Sequence, residues 1–223
     1  MLEFVRDDEV VEDDNTVLLL HMDGDALVDS SSNEYPITVL GTATQSSIDK
    51  KFGDKSLLLN TTSLGLSIPD SNDWYIDNGS FTFDCWVNFK NYSGTAYHSV
   101  FAQRVDATNR WGLDYLPGDP GFRYYHIGGG RSYTVGYYNF TPSNNTWYHI
   151  ALVKDGSNVD MYVNGNKIGT TFIDNEGIPD YSSPLLVGYD ATHDEFDGYI
   201  DELRISKGVA RWTSDFTPPT APY

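Results

Sequence analysis

The sequence SFTFDCWVNF, residues 80–89, places an apolar side chain at every second position of its core. Successive residues of a β-strand point to opposite faces of a sheet, so a period of two puts these side chains on one face. The members of that face are Phe81, Phe83, Cys85, Val87 and Phe89. Such a face belongs in a hydrophobic core, and we predict a strand here. Cys85 is then a small buried apolar residue, because no adjacent base or basic residue activates its thiol.

Short apolar runs separated by turn residues continue on the N-terminal side of this strand. Residues 17–22 form one predicted strand. Residues 55–59 and 64–68 predict a hairpin around residues 60–63, which are rich in Asn, Thr and Ser.

The same pattern continues towards the C-terminus. The apolar runs at residues 147–153 and 159–163 flank a turn-rich segment, and Asn164-Gly165 predicts a tight hairpin turn after them. Further strands are predicted at residues 185–188 and 198–205. Roughly a dozen short strands in one chain favour an all-β fold, a two-sheet antiparallel β-sandwich.

Charge and length limit the classes of function. The chain has 223 residues, and 14 Lys and Arg stand against 32 Asp and Glu, which gives a formal net charge of −18. This balance argues against a protein that binds nucleic acid through electrostatic attraction. Acidic residues are dense at the start, so we divide the chain into an acidic arm at residues 1–15, one domain at 16–219 and a C-terminal tail at 220–223.

Targeting segments and cysteines say little about the compartment in which the protein works. No uncharged apolar run approaches the ~18 residues that a membrane span requires, so we predict no insertion into a membrane. The first residues show neither the basic nor the apolar region of a secretory signal peptide. The single cysteine excludes an intrachain disulfide and a multi-cysteine zinc site.

Several spaced motifs, in this order, resemble one known family. They are FGDKSL at residues 52–57, FTFDCWV at 81–87, TWYHIALV at 146–153, MYVNG at 161–165, GYIDELRI at 198–205 and ARW at 210–212. Together they resemble the laminin-G-like, concanavalin-A-like jelly-roll superfamily over roughly residues 16–219. The resemblance implies the fold, whereas the superfamily's functions include lectins, adhesion modules, glycosidases and virion proteins. The run at 204–211 is most similar to variants from tailed phages and marine microbes, which implies a virion or an extracellular surface.

The resemblance raises the question of catalysis. Retaining glycosidases of this superfamily carry a Glu-x-Asp-x-x-Glu motif, because their chemistry needs two carboxylates about 5 Å apart. The stretch at residues 195–200 begins with Glu195 and Asp197 but has Ile200 in the last position. The second carboxylate is missing, so we predict that the protein is not an enzyme.

The resemblance also implies a structural calcium ion. Family members often hold one near the aspartate of the Ile-Asp-Glu strand, which here is Asp201, and near an early acidic loop, which here contains Asp23 and Asp25. Carboxylate and carbonyl oxygens are the ligands that Ca²⁺ prefers. Strand parity puts Asp201 on an apolar face, where an unpaired carboxylate is too costly. The alternative is that Asp201 only accepts backbone N–H bonds.

Aromatic residues and arginines concentrate between residues 97 and 138. Aromatic rings stack on the apolar faces of sugars, and guanidinium groups bind hydroxyls or carboxylates. We predict that Trp111, Tyr115, Tyr124 and Arg131 contribute to a glycan groove. The alternative is that these rings fill the core between two sheets.

These observations favour a non-catalytic binding or adhesion module that recognises glycans on a cell or particle surface. A virion structural or decoration protein that binds other protein subunits is the alternative. A glycan-degrading enzyme is the third candidate.

Overall fold

The protein is a sandwich of two antiparallel sheets. The computed structural model describes residues 14–60, 63–92, 97–117, 121–192 and 195–223, without the side chains of 131–134. The strands are β1 Thr16–Leu20, β2 Thr38–Leu40, β3 Thr44–Ser46, β4 Ser56–Leu59, β5 Gly65–Ile68, β6 Phe81–Phe89, β7 His98–Asp106, β8 Asn109–Leu116, β9 Gly121–Gly128, β10 Arg131–Asn139, β11 Trp147–Asp155, β12 Asn158–Val163, β13 Asn166–Ile173, β14 Leu185–Val187 and β15 Gly198–Lys207. The predicted all-β two-sheet fold is confirmed.

The two sheets differ in which strands they contain. Sheet A has the order β13-β12-β11-β6-β15-β4-β3, and β1 pairs with β15. Sheet B has the order β10-β9-β8-β7-β14-β5-β2. A single 3-10 turn, Asn72–Trp74, is the helical element of the described ranges, and no helix there has the length and apolar character that a bilayer span needs.

Strand β6 lies in the middle of sheet A and directs its predicted apolar face into the core. Phe81, Phe83, Cys85, Val87 and Phe89 are all at most 1% exposed and belong to the main core. The Phe83 ring packs on Phe101 of sheet B at a centroid distance of 4.0 Å. Burial raises the pKa of the Cys85 thiol well above its ordinary value, as expected for an inert apolar residue.

The predicted turn at Asn164-Gly165 is confirmed, whereas the hairpin predicted around residues 60–63 is wrong. Asn164 and Gly165 both have positive φ, and they connect β12 to β13. Strands β4 and β5 do not pair with each other: β4 pairs with β3 and β15 in sheet A, and β5 pairs with β2 and β14 in sheet B. Local sequence predicts both strands, but it does not tell whether the chain turns back or crosses to the other sheet.

The C-terminal segment covers part of the outer face of sheet A. Trp212 and Phe216 stack at a centroid distance of 3.9 Å and pack over Ala151, Val153 and Tyr162. Residues 220–223, which the sequence analysis treated as a separate tail, also lie on this face. The ring of Tyr223 packs 3.8 Å from the Arg204 guanidinium carbon, and its hydroxyl donates to the Asp84 carboxylate.

The acidic arm lies almost entirely outside the described residues. Its last residue, Asn15, is held by β15, because the Asn15 amide donates to the Lys207 carbonyl at 3.1 Å and the Lys207 N–H donates to the Asn15 carbonyl at 2.9 Å. Strand β1 starts directly after it.

The Phe83→Ala substitution tests the assignment of β6 as the centre of the core. It removes a ring that is 1% exposed, so we expect the free energy of unfolding to fall by about 3–5 kcal/mol in urea denaturation. Val105→Ala is the control, because Val105 is 52% exposed and its loss should change stability by about 0.5 kcal/mol or less. Equal effects of the two substitutions would contradict the assignment.

Candidate functional site

The three predicted ligand-binding rings lie in the core, so the groove predicted from them is wrong. Trp111, Tyr115 and Tyr124 are 2%, 2% and 0% exposed and belong to the main hydrophobic cluster. Two of them also form hydrogen bonds inside the protein: the Trp111 indole N–H donates to Gln103 at 3.0 Å, and the Tyr124 hydroxyl donates to Asp174 at 2.9 Å. Rings that pack within the main hydrophobic cluster between the two sheets cannot stack on a sugar at the surface, so the core-filling alternative applies to all three.

Arg131, the fourth predicted ligand-binding residue, starts strand β10. Its backbone pairs with Gly128 of strand β9. Its side chain lies outside the described residues, so its predicted role stays a prediction.

The opposite face of the same strands points away from the core and carries paired charges. Arg123 forms a bidentate ion pair with Asp114, in which Nε and Nη2 donate to the two carboxylate oxygens at 3.1 and 2.6 Å. Arg104 contacts Asp190 at 3.2 Å. Both guanidinium groups are bound by carboxylates of the protein itself. These ion pairs therefore belong to the outer surface of sheet B.

Asp201 accepts backbone hydrogen bonds, which is the role kept as the alternative to calcium. Its Oδ2 accepts the N–H groups of Lys51 at 2.7 Å and Phe52 at 3.1 Å, and its Oδ1 accepts the Glu202 N–H at 2.9 Å. The carboxylate is fully buried, and these bonds fix the loop that precedes β4.

Asp23 and Asp25 do not join Asp201 in one shell. The Asp23 Oδ1 accepts the N–H groups of Asp54 at 2.7 Å and Lys55 at 2.8 Å, whereas the Asp25 side chain is fully exposed and lies 3.6 Å from the Lys55 Nζ. No three His, Cys, Asp or Glu side chains within the described ranges form a group that could hold a metal ion. The predicted ligand set is therefore not assembled, and calcium binding itself stays a prediction.

The position that a retaining glycosidase needs for its second carboxylate lies in the core. Ile200 is fully buried there, between the sheets, and Phe196 before it is fully buried as well. A carboxylate could not replace Ile200 at this place without losing its hydration.

A depression of about 510 Å³ opens on the outer face of sheet A. Two tryptophans of adjacent strands, Trp86 of β6 and Trp147 of β11, line it together with Lys51, Phe52 and Asn164. Residues 217–220 of the C-terminal segment form the remaining wall. We call this depression the tryptophan groove. Its volume is in the range of small-molecule and cofactor pockets, about 300–1,000 Å³.

Strand parity places both tryptophans outside the core. Cys85 and Val87 point inward from β6, so Trp86 between them points outward. Trp147 likewise lies on the side opposite to the buried Ile150 of β11. The Trp86 ring contacts the Phe52 ring edge to face at 5.8 Å, so the loop before β4 is joined to the sheet at this point.

Two carboxyl groups hold one ring and one loop of the groove in place. One oxygen of Asp49 accepts the Trp147 indole N–H at 2.8 Å, and the other accepts the Asn88 amide at 2.8 Å. The Asp201 carboxylate fixes the backbone of Lys51 and Phe52, as described above. The Trp147 ring, held in this way, loses little conformational freedom when a ligand binds, which favours affinity.

Sequence analysis missed these residues although their pattern was visible. An outward aromatic residue in a strand with an apolar inward face is a surface ring that needs an explanation, and Trp86 is such a residue in the stretch 80–89. The glycan site was instead predicted on strands of sheet B, because aromatic residues concentrate between residues 97 and 138. The walls at Lys51 and at residues 217–220 are distant in sequence and could not be assigned to the groove without the fold.

Known proteins share sequence features and the fold of this chain. The sequence model of the concanavalin A-like lectin/glucanases superfamily matches residues 60–213, more than half of the chain. The chain belongs to this superfamily. The resemblance inferred from the motifs is thereby confirmed, and no curated protein sequence matches significantly.

Solved structures with the same fold come from several bacterial proteins. Domain 4 of AbnA, a GH43 extracellular arabinanase from Geobacillus stearothermophilus solved with arabinotriose, is similar with a TM-score of 0.71 and 23% identity, over 88% of this chain and 94% of that one. The binding domain of Paraclostridial Mosquitocidal Protein 1 has a TM-score of 0.68 and 20% identity, and that of botulinum neurotoxin serotype G has 0.68 and 16%. The alignments cover 88% and 87% of this chain but only 50% and 48% of the two toxin domains.

The pH dependence of the free energy of unfolding tests the role of Asp201. Burial raises its pKa from the ordinary 3.8 to about 7, and the charges of Glu202 and Asp23 act in the same direction. The folded protein then binds this proton more tightly than the unfolded chain, so the contribution to stability is present at low pH and is lost as the pH rises towards about 7. In urea unfolding with a chelator, we expect wild type to lose this contribution over that interval and Asp201→Asn to show a flatter profile.

The same experiment with millimolar calcium separates the two roles of this carboxylate. Without a metal at Asp201, calcium leaves the free energy of unfolding and its pH profile unchanged. A calcium-dependent rise in the free energy of unfolding that Asp201→Asn abolishes would instead support the metal site implied by the sequence.

Proposed function

We propose that this chain is a non-catalytic binding module that recognises glycans through the tryptophan groove. The observation that carries the proposal is the pair of outward indole rings, Trp86 and Trp147, at the floor of a depression of about 510 Å³. The Trp147 ring is fixed at this surface by the hydrogen bond from its indole N–H to the Asp49 carboxylate.

The chemistry of the groove suits a sugar. The C–H faces of a pyranose or furanose ring are apolar and pack on an indole, whereas its hydroxyl groups need donors and acceptors at the edge of the ring. Trp147 and Phe52 are partly exposed and offer the apolar surface. Lys51 and Asn164 lie at the rim and offer polar groups.

The comparisons support this proposal. The superfamily includes lectins by its description. Domain 4 of the arabinanase was solved with arabinotriose, and cell entry of botulinum neurotoxin type C depends on interaction with two ganglioside molecules. These proteins are less than 25% identical to the chain, and the alignment covers only 49% of the neurotoxin chain, so what they share with it is the fold and the carbohydrate ligand remains part of the proposal.

The location of the protein and its alternative partner, another protein subunit, remain predictions made from the sequence. A virion or extracellular surface suits a glycan-binding module, and a surface of another protein subunit is the partner predicted for a decoration protein. Binding of another subunit does not require outward indole rings beside polar groups in a depression. The groove therefore favours the glycan.

The first experiment is a glycan array that includes arabinotriose and ganglioside oligosaccharides, with the protein applied once with calcium and once with chelator. We expect specific binding in both conditions, because the groove contains no predicted calcium ligand. Binding only with calcium would reassign the site to the region of Asp23 and Asp201. Silence on a broad array would favour a protein partner instead.

Trp147→Ala tests the location of the site by titration calorimetry with the tightest glycan of the array. We expect at least a tenfold loss of affinity, about 1.4 kcal/mol, because the substitution removes a stacking surface from the floor. Tyr137→Ala is the control, since Tyr137 is a 47% exposed aromatic residue on sheet B. A similar loss in both variants, or in neither, would contradict the proposed site.

A further inference from the structure

Lys51 is the cation of the tryptophan groove, and it rests on an aromatic ring. Its Nζ lies 3.8 Å from the ring centroid of Trp86 and 5.4 Å from that of Phe52. No carboxylate among the described residues forms an ion pair with it. Burial lowers the pKa of this ammonium group, and the charge of Asp201 partly opposes the shift.

The acidic groups around the groove are already engaged by other donors. Asp49 accepts hydrogen bonds from Trp147 and Asn88, and Asp201 accepts those of the Lys51 and Phe52 backbone. The backbone of Lys51 is therefore fixed, whereas its ammonium group contacts the Trp86 ring and no carboxylate of the described residues. A lysine side chain has four rotatable carbons and can move its charge without a change in the loop.

Two hydrogen-bond donors of the groove have no protein acceptor among the described residues. The ammonium of Lys51 brings three N–H groups, and the Trp86 indole N–H is buried without an acceptor within the described ranges. A buried donor without an acceptor is unfavourable, so a ligand that supplies oxygen atoms here gains from both groups. Trp86 itself is only 6% exposed, and Lys51 contributes to its cover.

We propose that the glycan bound in the tryptophan groove carries an anionic group, a carboxylate or a sulfate, and that Lys51 leaves the Trp86 ring to bind it. A charge-assisted hydrogen bond is stronger than a cation–π contact at a partly exposed site, so the exchange is favourable. The movement uncovers Trp86, whose ring then packs on the sugar next to Trp147. This inference rests on the proposed function and adds the ligand's charge to it.

The large negative charge of the protein does not exclude an acidic ligand. The formal net charge of −18 repels anions at long range. At physiological salt the Debye length is about 8 Å, so distant charges are largely screened while the direct contact with Lys51 is not. The affinity for an acidic glycan is therefore decided by the groove itself.

The test compares acidic glycans with their neutral parents. Sialylated, uronate-containing and 6-sulfated oligosaccharides are titrated beside the corresponding neutral compounds at physiological salt, with wild type, Lys51→Met, Lys51→Arg and Trp147→Ala. We expect wild type to bind acidic members of at least one pair tenfold or more tightly than the neutral parent. The carboxylate and sulfate pairs show which anion is preferred.

The variants separate the charge of Lys51 from its packing. Lys51→Met keeps an apolar stem over Trp86, so it should bind both members of the pair with the affinity of the neutral parent, whereas Lys51→Arg should retain the preference. Lys50→Met is the matched control, because Lys50 is the exposed neighbour and carries the same charge outside the groove. Its substitution should leave the preference for the acidic member intact.

The outcomes for the inference and for the proposed function differ. Equal binding of acidic and neutral members by wild type, or an unchanged preference in Lys51→Met, overturns the inference while Trp147→Ala can still locate the site in the groove. If no glycan of any pair binds, or if Trp147→Ala changes no affinity, the proposed function fails and the inference fails with it.

Discussion

The burial of both faces of strand β6 is the constraint on which the rest of the structure depends. All nine residues from Phe81 to Phe89 are buried, although only alternate positions face the core. The outer positions include Asp84, a fully buried carboxylate. Burial alone would raise the pKa of Asp84, but the positive charge of Arg204 and the hydrogen bond of His149 more than offset it, so the pKa is lowered. The carboxylate therefore stays ionised beneath the C-terminal segment, where the Tyr223 hydroxyl also donates to it.

The tryptophan groove lies on the outer face of sheet A, next to the C-terminal segment that covers part of this face. The C-terminal segment packs on sheet A through Trp212 and Phe216, and its residues 217–220 become one wall of the groove. The loop before β4, whose backbone N–H groups bind Asp201, adds Lys51 and Phe52 to the lining. The Asp84 carboxylate thus binds the C-terminal segment, and the Asp201 carboxyl group holds the loop that carries Lys51.

Period-two patterns predicted the strands and the inward face of β6, because both depend on residues next to each other in the chain. The sheet to which a strand belongs depends on distant partners, and for this reason the hairpin between β4 and β5 was wrong. The choice of Trp111 for a groove failed for a related reason. Alternation defines two faces of β8, but only the packing of the second sheet shows that the larger rings point inward.

The carboxylates showed a similar limit. The sequence identified Asp201 as a group that needs a partner, and the structure supplies backbone N–H groups from residues about 150 positions away in the chain. No spacing rule brings residues 51, 86, 147, 164 and 217 together, because the groove combines segments that meet only in the folded sandwich. Strand parity gives the outward direction of Trp86 and of Trp147, but it does not bring the two rings together.

The indole N–H signals of the five tryptophans provide the most direct test of the account. In ¹H–¹⁵N spectra recorded during titration with the tightest glycan of the array, the signals of Trp86 and Trp147 should shift. Those of Trp74 and Trp111 should not, since they are buried and bonded to Pro69 and Gln103. Shifts at Trp111 with unchanged signals of Trp86 and Trp147 would contradict a glycan site on the outer face of sheet A.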